Sequence, residues 1–224
     1  MSDRKYTPLT DALYDYVVAH GTPPDPIQRD LIEETASLGD VHVMQIAPDQ
    51  GAFMTVLTRA IGARDAIEIG TFTGYSALAI ARGLPAAGRL IACDVSESWT
   101  AIARRYWERA GVDGRIELRI GPAIETLHAI PAEPRFHLAF VDADKEAYIE
   151  YYEALLPRMR SGGLILVDNT LWEAKVLDQD PDETTRAVCA FNDHVAGDPR
   201  GESVLLTIAD GLTIVRVRGH EERP

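Results

Sequence analysis

Cysteine is scarce in this 224-residue chain. The two that occur, Cys93 and Cys189, stand far apart with no CxxC spacing, which excludes a disulfide framework and a cysteine-ligated zinc site. Histidine offers no metal pattern either: His20, His42, His128, His137, His194 and His220 are scattered. Positive charge is short. The 22 Lys and Arg face 35 Asp and Glu for a formal charge of −13, and basic runs stop at pairs such as Arg104 with Arg105. Nucleic-acid and anionic-membrane surfaces work by displacing counterions with Lys/Arg patches, so neither partner is expected. Long apolar runs are missing as well. Leu164-Ile165-Leu166-Val167 is only strand length, and the polar start Met1-Ser2-Asp3-Arg4-Lys5 is no signal core. The expected compartment is a reducing cytoplasm.

What the chain does have is punctuation. Gly21, the Pro23-Pro24-Asp25-Pro26 cluster, Gly39 and Gly62 divide the first sixty residues into three expected helices over 7–20, 27–38 and 48–61. Between the last two, Val41 to Ile46 is too short for a helix and reads as a loop facing a pocket. From Asp65 the text alternates. Short apolar runs at 66–69, 90–93, 116–120, 138–141 and 164–167 are separated by amphipathic stretches at 75–82, 97–110, 122–129 and 145–159. Repeated βα units imply a doubly wound parallel sheet with helices on both faces. After a helix over 183–195, runs at 204–208 and 212–217 joined by Ala209-Asp210-Gly211 read as an antiparallel hairpin. The expected class is α/β, Rossmann-like, in one domain: an N-terminal helical cap over 1–62 and a core over 63–224.

Three places carry candidate chemistry. The first is Glu68-Ile69-Gly70-Thr71-Phe72-Thr73-Gly74-Tyr75-Ser76, a strand end, a glycine turn and a helix start. Its helix N–H groups could meet an anion, although a plain βα turn reads the same way. It is neither GxGxxG nor a Walker loop. The second is Asp94, which ends the next strand about 24 residues after Gly70, where an acid in such folds accepts ribose hydroxyls. An acid at Glu68 would repel a pyrophosphate but suits a methionine ammonium, so S-adenosylmethionine outranks NAD. The third is Phe140-Val141-Asp142-Ala143-Asp144-Lys145 with Val167-Asp168-Asn169. Asp142, Asp168 and Asn169 fall at strand carboxyl ends, and two carboxylates with an amide oxygen suit a hard divalent cation, Mg²⁺ first, with Mn²⁺ or Ca²⁺ as substitutes. Asp144 is placed to cap the helix from Lys145. Lys145 reads either as a solvated lysine or as a base beside the cation. Trp172 and Tyr148 are candidate acceptor walls or core residues.

With those segments in order, the chain resembles the cation-dependent class I S-adenosylmethionine O-methyltransferases, the catechol and caffeoyl-CoA group, from Met44 to the C-terminus. Its motifs are Met44-Gln45-Ile46-Ala47-Pro48-Asp49-Gln50-Gly51, Glu68 to Ser76, Cys93-Asp94, Gly121 to Leu127, and Phe140 to Lys145 with Val167 to Trp172. The resemblance implies that Glu68, Gly70, Ser76 and the Met44 backbone hold the methionine end, that Asp94 binds ribose, and that Ala123 meets adenine. It implies that Asp142, Asp168 and Asn169 ligate the metal, with Asp142 also beside the cofactor, and that Lys145 is the base. A homodimer is implied too. The expected acceptor is a small catechol-like molecule. A coenzyme A ester and a tRNA hydroxyuridine are the alternatives, and the acidic chain argues against both.

Overall fold

The computed structural model describes residues 7–222. Three helices, α1 (Asp11–His20), α2 (Pro26–Ala36) and α3 (Pro48–Ala60), come first. The breakers act as expected: Asp25 and Gln28 form a reciprocal capping box at the head of α2, and Pro48 opens α3, where a missing N–H costs nothing. The segment expected to be a loop is instead a 3₁₀ helix, Gly39–Met44, with Val43 exposed near its end.

The alternating text then folds into β1 (Asp65–Ile69), α4 (Tyr75–Gly83), β2 (Arg89–Asp94), α5 (Glu97–Arg109), β3 (Ile116–Ile120), α6 (Ala123–Ala129), β4 (Phe136–Val141), α7 (Tyr148–Leu155) and β5 (Met159–Val167). After α8 (Glu183–Ala196) come β6 (Gly201–Leu206) and β7 (Leu212–Val217). The sheet order is β3-β2-β1-β4-β5-β7-β6. The first five strands pair in parallel, and β7 runs antiparallel to both β5 and β6. Strands buried on both faces need no polar alternation, which is why β1, β2, β4 and the end of β5 read as continuous apolar runs. Helices α2 to α5 pack on one face around Leu31, Met54, Leu78 and Trp107; α6, α7 and α8 cover the other around Leu127, Tyr152 and Phe191. Among the described residues, no helix is long and apolar enough to cross a membrane.

Two expected elements differ. The helix over 145–159 is three pieces: a 3₁₀ turn at Lys145–Ala147, α7, and a second 3₁₀ turn at Leu156–Arg158. Pro157 ends it, because proline supplies no N–H to the helix ladder, and Met159 is already strand, paired with Phe136. Strand β6 begins and ends earlier than the expected 204–208 and is exposed over most of its length, so its sequence carries little apolar pattern.

Gly74 shows how tightly the first βα unit is closed. It has φ 85° at the head of α4, and its carbonyl accepts the Trp107 indole N–H at 3.0 Å. A Cβ there would lie 2.5 Å from Ala103 Cβ and 2.8 Å from Trp107 Nε1. Gly74→Ala is therefore expected to cost about 2–4 kcal/mol through strain and overpacking, read as a lower denaturation midpoint with an unchanged m-value.

Candidate active site

Strand parity gathers the acids. Ala66 on β1, Leu138 and Phe140 on β4, and Leu164 and Leu166 on β5 all face the α2–α5 side. Two-residue periodicity puts Glu68, Asp142 and Asp168 on that same side. The ladder runs on past the strand ends, since the Asp142 N–H donates to the Ile69 carbonyl at 2.8 Å and the Asp168 N–H to the Val141 carbonyl at 3.0 Å. Three carboxylates thus meet at one sheet edge.

Glu68 is fully buried. Its Oε2 accepts the Thr71 hydroxyl at 3.0 Å, but Oε1 has no partner among the described residues. Burial pushes its carboxyl up to about 8, only partly offset by the Ser76 and Thr71 hydroxyls. An orphan carboxylate oxygen beside the α4 N-terminus fits the ammonium of a methionine group. Gly70, at φ 88°, is needed where it stands: any Cβ would strike the Asp142 carbonyl. Asp94 is busier than the sequence suggests. Its Oδ2 accepts the Thr71 and Phe72 N–H groups at 3.0 and 2.7 Å, and its Oδ1 accepts that of Ser96 at 2.7 Å. Since a carboxylate offers about four acceptor sites, one remains for a ribose hydroxyl. Ser76 is buried in the first turn of α4, and Ala123 opens α6, where the first N–H groups lack intrahelical acceptors. Met44 closes the 3₁₀ helix with its side chain partly exposed.

Further across the sheet, Asp168 is 3% exposed and Asp142 lies near it. Burial first, and the Asp142 charge second, raise the Asp168 carboxyl above the ordinary carboxylate range. Lys145 Nζ donates to Asp142 Oδ1 at 3.0 Å and sits 5.0 Å from the Tyr148 ring centre and 5.7 Å from that of Trp172. Two acids and an amide against one lysine form a donor set with excess negative charge and oxygen ligands only, which fits a hard divalent cation.

Other expectations are corrected. Asp144 makes no side-chain cap; its carboxylate accepts the Tyr151 hydroxyl at 2.7 Å. Tyr148 is core rather than an open wall: it is 1% exposed, and its hydroxyl donates to the Asp168 carbonyl at 3.0 Å. Trp172 is partly buried beside Lys145, and its indole N–H has no partner among the described residues. It begins three successive left-handed residues, Trp172, Glu173 and Ala174, at φ 50°, 52° and 63°. The hairpin turn before β7 holds them. Asp210 Oδ1 accepts the Glu173 N–H at 2.6 Å, and Oδ2 accepts Asn169 Nδ2 at 3.4 Å, which leaves the Asn169 amide oxygen as that side chain's acceptor. Asp210 and the buried Gln50 have no assigned part in the sequence reading, since neither stands at a parallel strand end. Elsewhere, Glu153, His194 and Asp198 also converge, but the Arg200 guanidinium already bonds both acids.

A family model described as O-methyltransferase matches residues 20–218. The chain belongs to the O-methyltransferase family. This O-methyltransferase is 35% identical over 220 residues to caffeoyl-CoA O-methyltransferase 1 of Arabidopsis thaliana, covering 92% of this chain and 85% of that one. It is 35% identical over 221 residues to tricin synthase 2 of Oryza sativa subsp. japonica, covering 92% and 75%. Among solved structures it superposes with TM-score 0.84 and 32% identity on the Bacillus cereus O-methyltransferase in complex with SAH, covering 92% of this chain and 97% of that one.

The geometry of this O-methyltransferase makes its stability pH-dependent. Glu68 is accommodated in its protonated form, so with respect to this group the ligand-free fold is most stable below the ordinary value of 4.5 and loses stability as pH rises toward about 8. Urea titrations of wild type and Glu68→Gln across that range should diverge by on the order of a few kcal/mol, the wild type losing more. Asp210→Ala should cost about 1–3 kcal/mol and speed amide exchange at Leu171 and Glu173, while the amides of β1 keep their protection.

Proposed function

We propose that the protein transfers the methyl group of S-adenosylmethionine to one hydroxyl of a vicinal dihydroxy aromatic, with a divalent cation, Mg²⁺ first, held by Asp142, Asp168 and Asn169. The observation carrying this reading is the meeting at one sheet edge of buried Asp168, Asp142 and Lys145 with the orphan oxygen of Glu68. When bound, the cofactor supplies an electrophilic methyl group and the cation lowers the pKa of an acceptor hydroxyl.

The chain's own residues do the rest. Glu68 Oε1 receives the methionine ammonium, Asp94 a ribose hydroxyl and the Ala123 N–H the adenine ring, while Gly70, Ser76 and the Met44 backbone enclose the methionine end. Lys145, as the neutral amine that a bound divalent cation beside it would favour, would take the hydroxyl proton at Nζ; Asp142 and the rings of Tyr148 and Trp172 fix where that atom lies. Trp172, partly exposed beside Lys145, would wall the acceptor ring. Positioning of the bound partners by these residues would account for most of the acceleration.

A free catechol-like acceptor is supported by the formal charge of −13, which is poorly suited to coenzyme A phosphates and to tRNA. The coenzyme A ester reading has its own support in the name of the Arabidopsis relative. A panel of catechols, caffeoyl-CoA and tRNA, each assayed for S-adenosylmethionine consumption with and without Mg²⁺, separates them. The expected result is turnover of catechols that EDTA abolishes, with kcat about 10²–10⁴-fold lower in Lys145→Ala. Full activity in EDTA would end the cation reading, and turnover of caffeoyl-CoA alone would reassign the acceptor.

A further inference from the structure

Gln50 is the most anomalous side chain in the protein. It is the third residue of α3 and is completely buried, yet neither its Nε2 nor its Oε1 has a hydrogen-bond partner among the described residues. Burying an amide without partners costs on the order of 1–3 kcal/mol or more, and methionine of nearly the same shape would avoid that cost. Nor does looseness account for it. Gly51, the next residue, lets α3 press against Tyr75 so closely that a Cβ would lie 2.6 Å from the Tyr75 ring, and Asp49, the residue before, accepts the Tyr14 hydroxyl at 3.2 Å. The helix is pinned on both sides of the amide.

The surroundings say what the amide is for. Helix α3 packs on the sheet face onto which strand parity brings Asp142 and Asp168. The Gln50 amide approaches the Asp168 carboxylate without completing a hydrogen bond. Carboxylates that hold a metal are themselves hydrogen-bonded by neighbours that fix their orientation, and an amide N–H is suited to that task. The opposite end of the amide can only accept, and no described residue donates to it.

We propose that Gln50 belongs to the cation centre: its Nε2 holds the Asp168 carboxylate in its ligating orientation, and its Oε1 accepts from a hydroxyl, water or acceptor, drawn in beside the cation. This rests on the cation reading of Asp142, Asp168 and Asn169 given above. Gln50 acts as a positioning residue through Asp168, and its unpaired amide in the ligand-free protein is stability given up for the loaded one.

The test uses the full-length protein and Mn²⁺ as the probe. Wild type, Gln50→Met and Gln50→Glu are compared for Mn²⁺ affinity by titration followed by electron paramagnetic resonance, for S-adenosylmethionine affinity by calorimetry, and for metal-free melting temperature. Gln50→Met should raise the metal-free melting temperature, weaken Mn²⁺ binding about 10- to 100-fold and leave S-adenosylmethionine affinity within about twofold. Gln50→Glu, whose carboxylate can accept but not donate to Asp168, should weaken Mn²⁺ binding as well. A residue of purely structural value gives the reverse pattern, with Gln50→Met melting lower and Mn²⁺ affinity unchanged, and that result overturns the proposal alone. Wild-type protein that takes up no Mn²⁺ overturns this proposal together with the cation reading.

Discussion

A carboxylate cannot hold its charge in a dry interior without a partner, and this protein buries two of them at one edge of its sheet, at the carboxyl ends of β1 and β5. Glu68 and Asp168 are both at most 3% exposed, and both have carboxyls raised by that burial. Much of the nearby architecture is a response to them. Thr71 gives Glu68 a hydroxyl, Lys145 gives Asp142 a cation, and the Asn169 N–H donates to Asp168 Oδ1 at 2.8 Å. None of these completes the neutralisation. What remains unpaired is an invitation to an ammonium on one side and a hard cation on the other, with β4 and its Asp142 between the two.

The layering was legible because its cause is local. Strands covered on both faces must be apolar throughout, so β1, β2, β4 and the end of β5 declare themselves without reference to anything distant. Where elements differ from their sequence pattern, the reasons are equally physical. Leu156 and Arg158 look helical by composition, but Pro157 between them ends the ladder and the chain turns directly into strand. Strand β6 lies at the sheet edge, where exposure on both faces erases the pattern that sequence reading depends on.

The site divides along the same line. Asp142, Asp168 and Asn169 could be proposed as ligands because a strand end is a position that sequence reveals, and ligands gather there in open α/β sheets. Asp144 misleads: from local text it is a helix cap, but the helix proper starts only at Tyr148, and the Tyr151 hydroxyl, seven residues on, takes the carboxylate. Asp210 gives no local signal, and Gln50, although it lies in the Met44 to Gly51 motif, gives none that assigns it a role. Asp210 sits in an ordinary hairpin turn and matters because the sheet brings that turn against Asn169 and the residues after it; Gln50 sits in a helix of the N-terminal segment and matters because that helix packs on the acid face. Their roles are set by tertiary approach, across 41 residues in the first case and between opposite halves of the chain in the second.

Gly70 has a consequence that reaches beyond its own turn. The backbone leaving β1 touches the Asp142 carbonyl with no side chain between them. Main chain against main chain is the least compressible join a protein can make. In the proposed reaction it would work as a fixed gauge between the place that receives a donor and the place that receives an acceptor, independent of any rotamer. On that proposal, the walls around the acceptor, Trp172 and its left-handed neighbours among them, could drift toward new ring systems over evolutionary time while the spacing across which the group must travel stays set. Among relatives with names as different as caffeoyl-CoA O-methyltransferase and tricin synthase, such a gauge would let one chemistry be retained while its clientele changed.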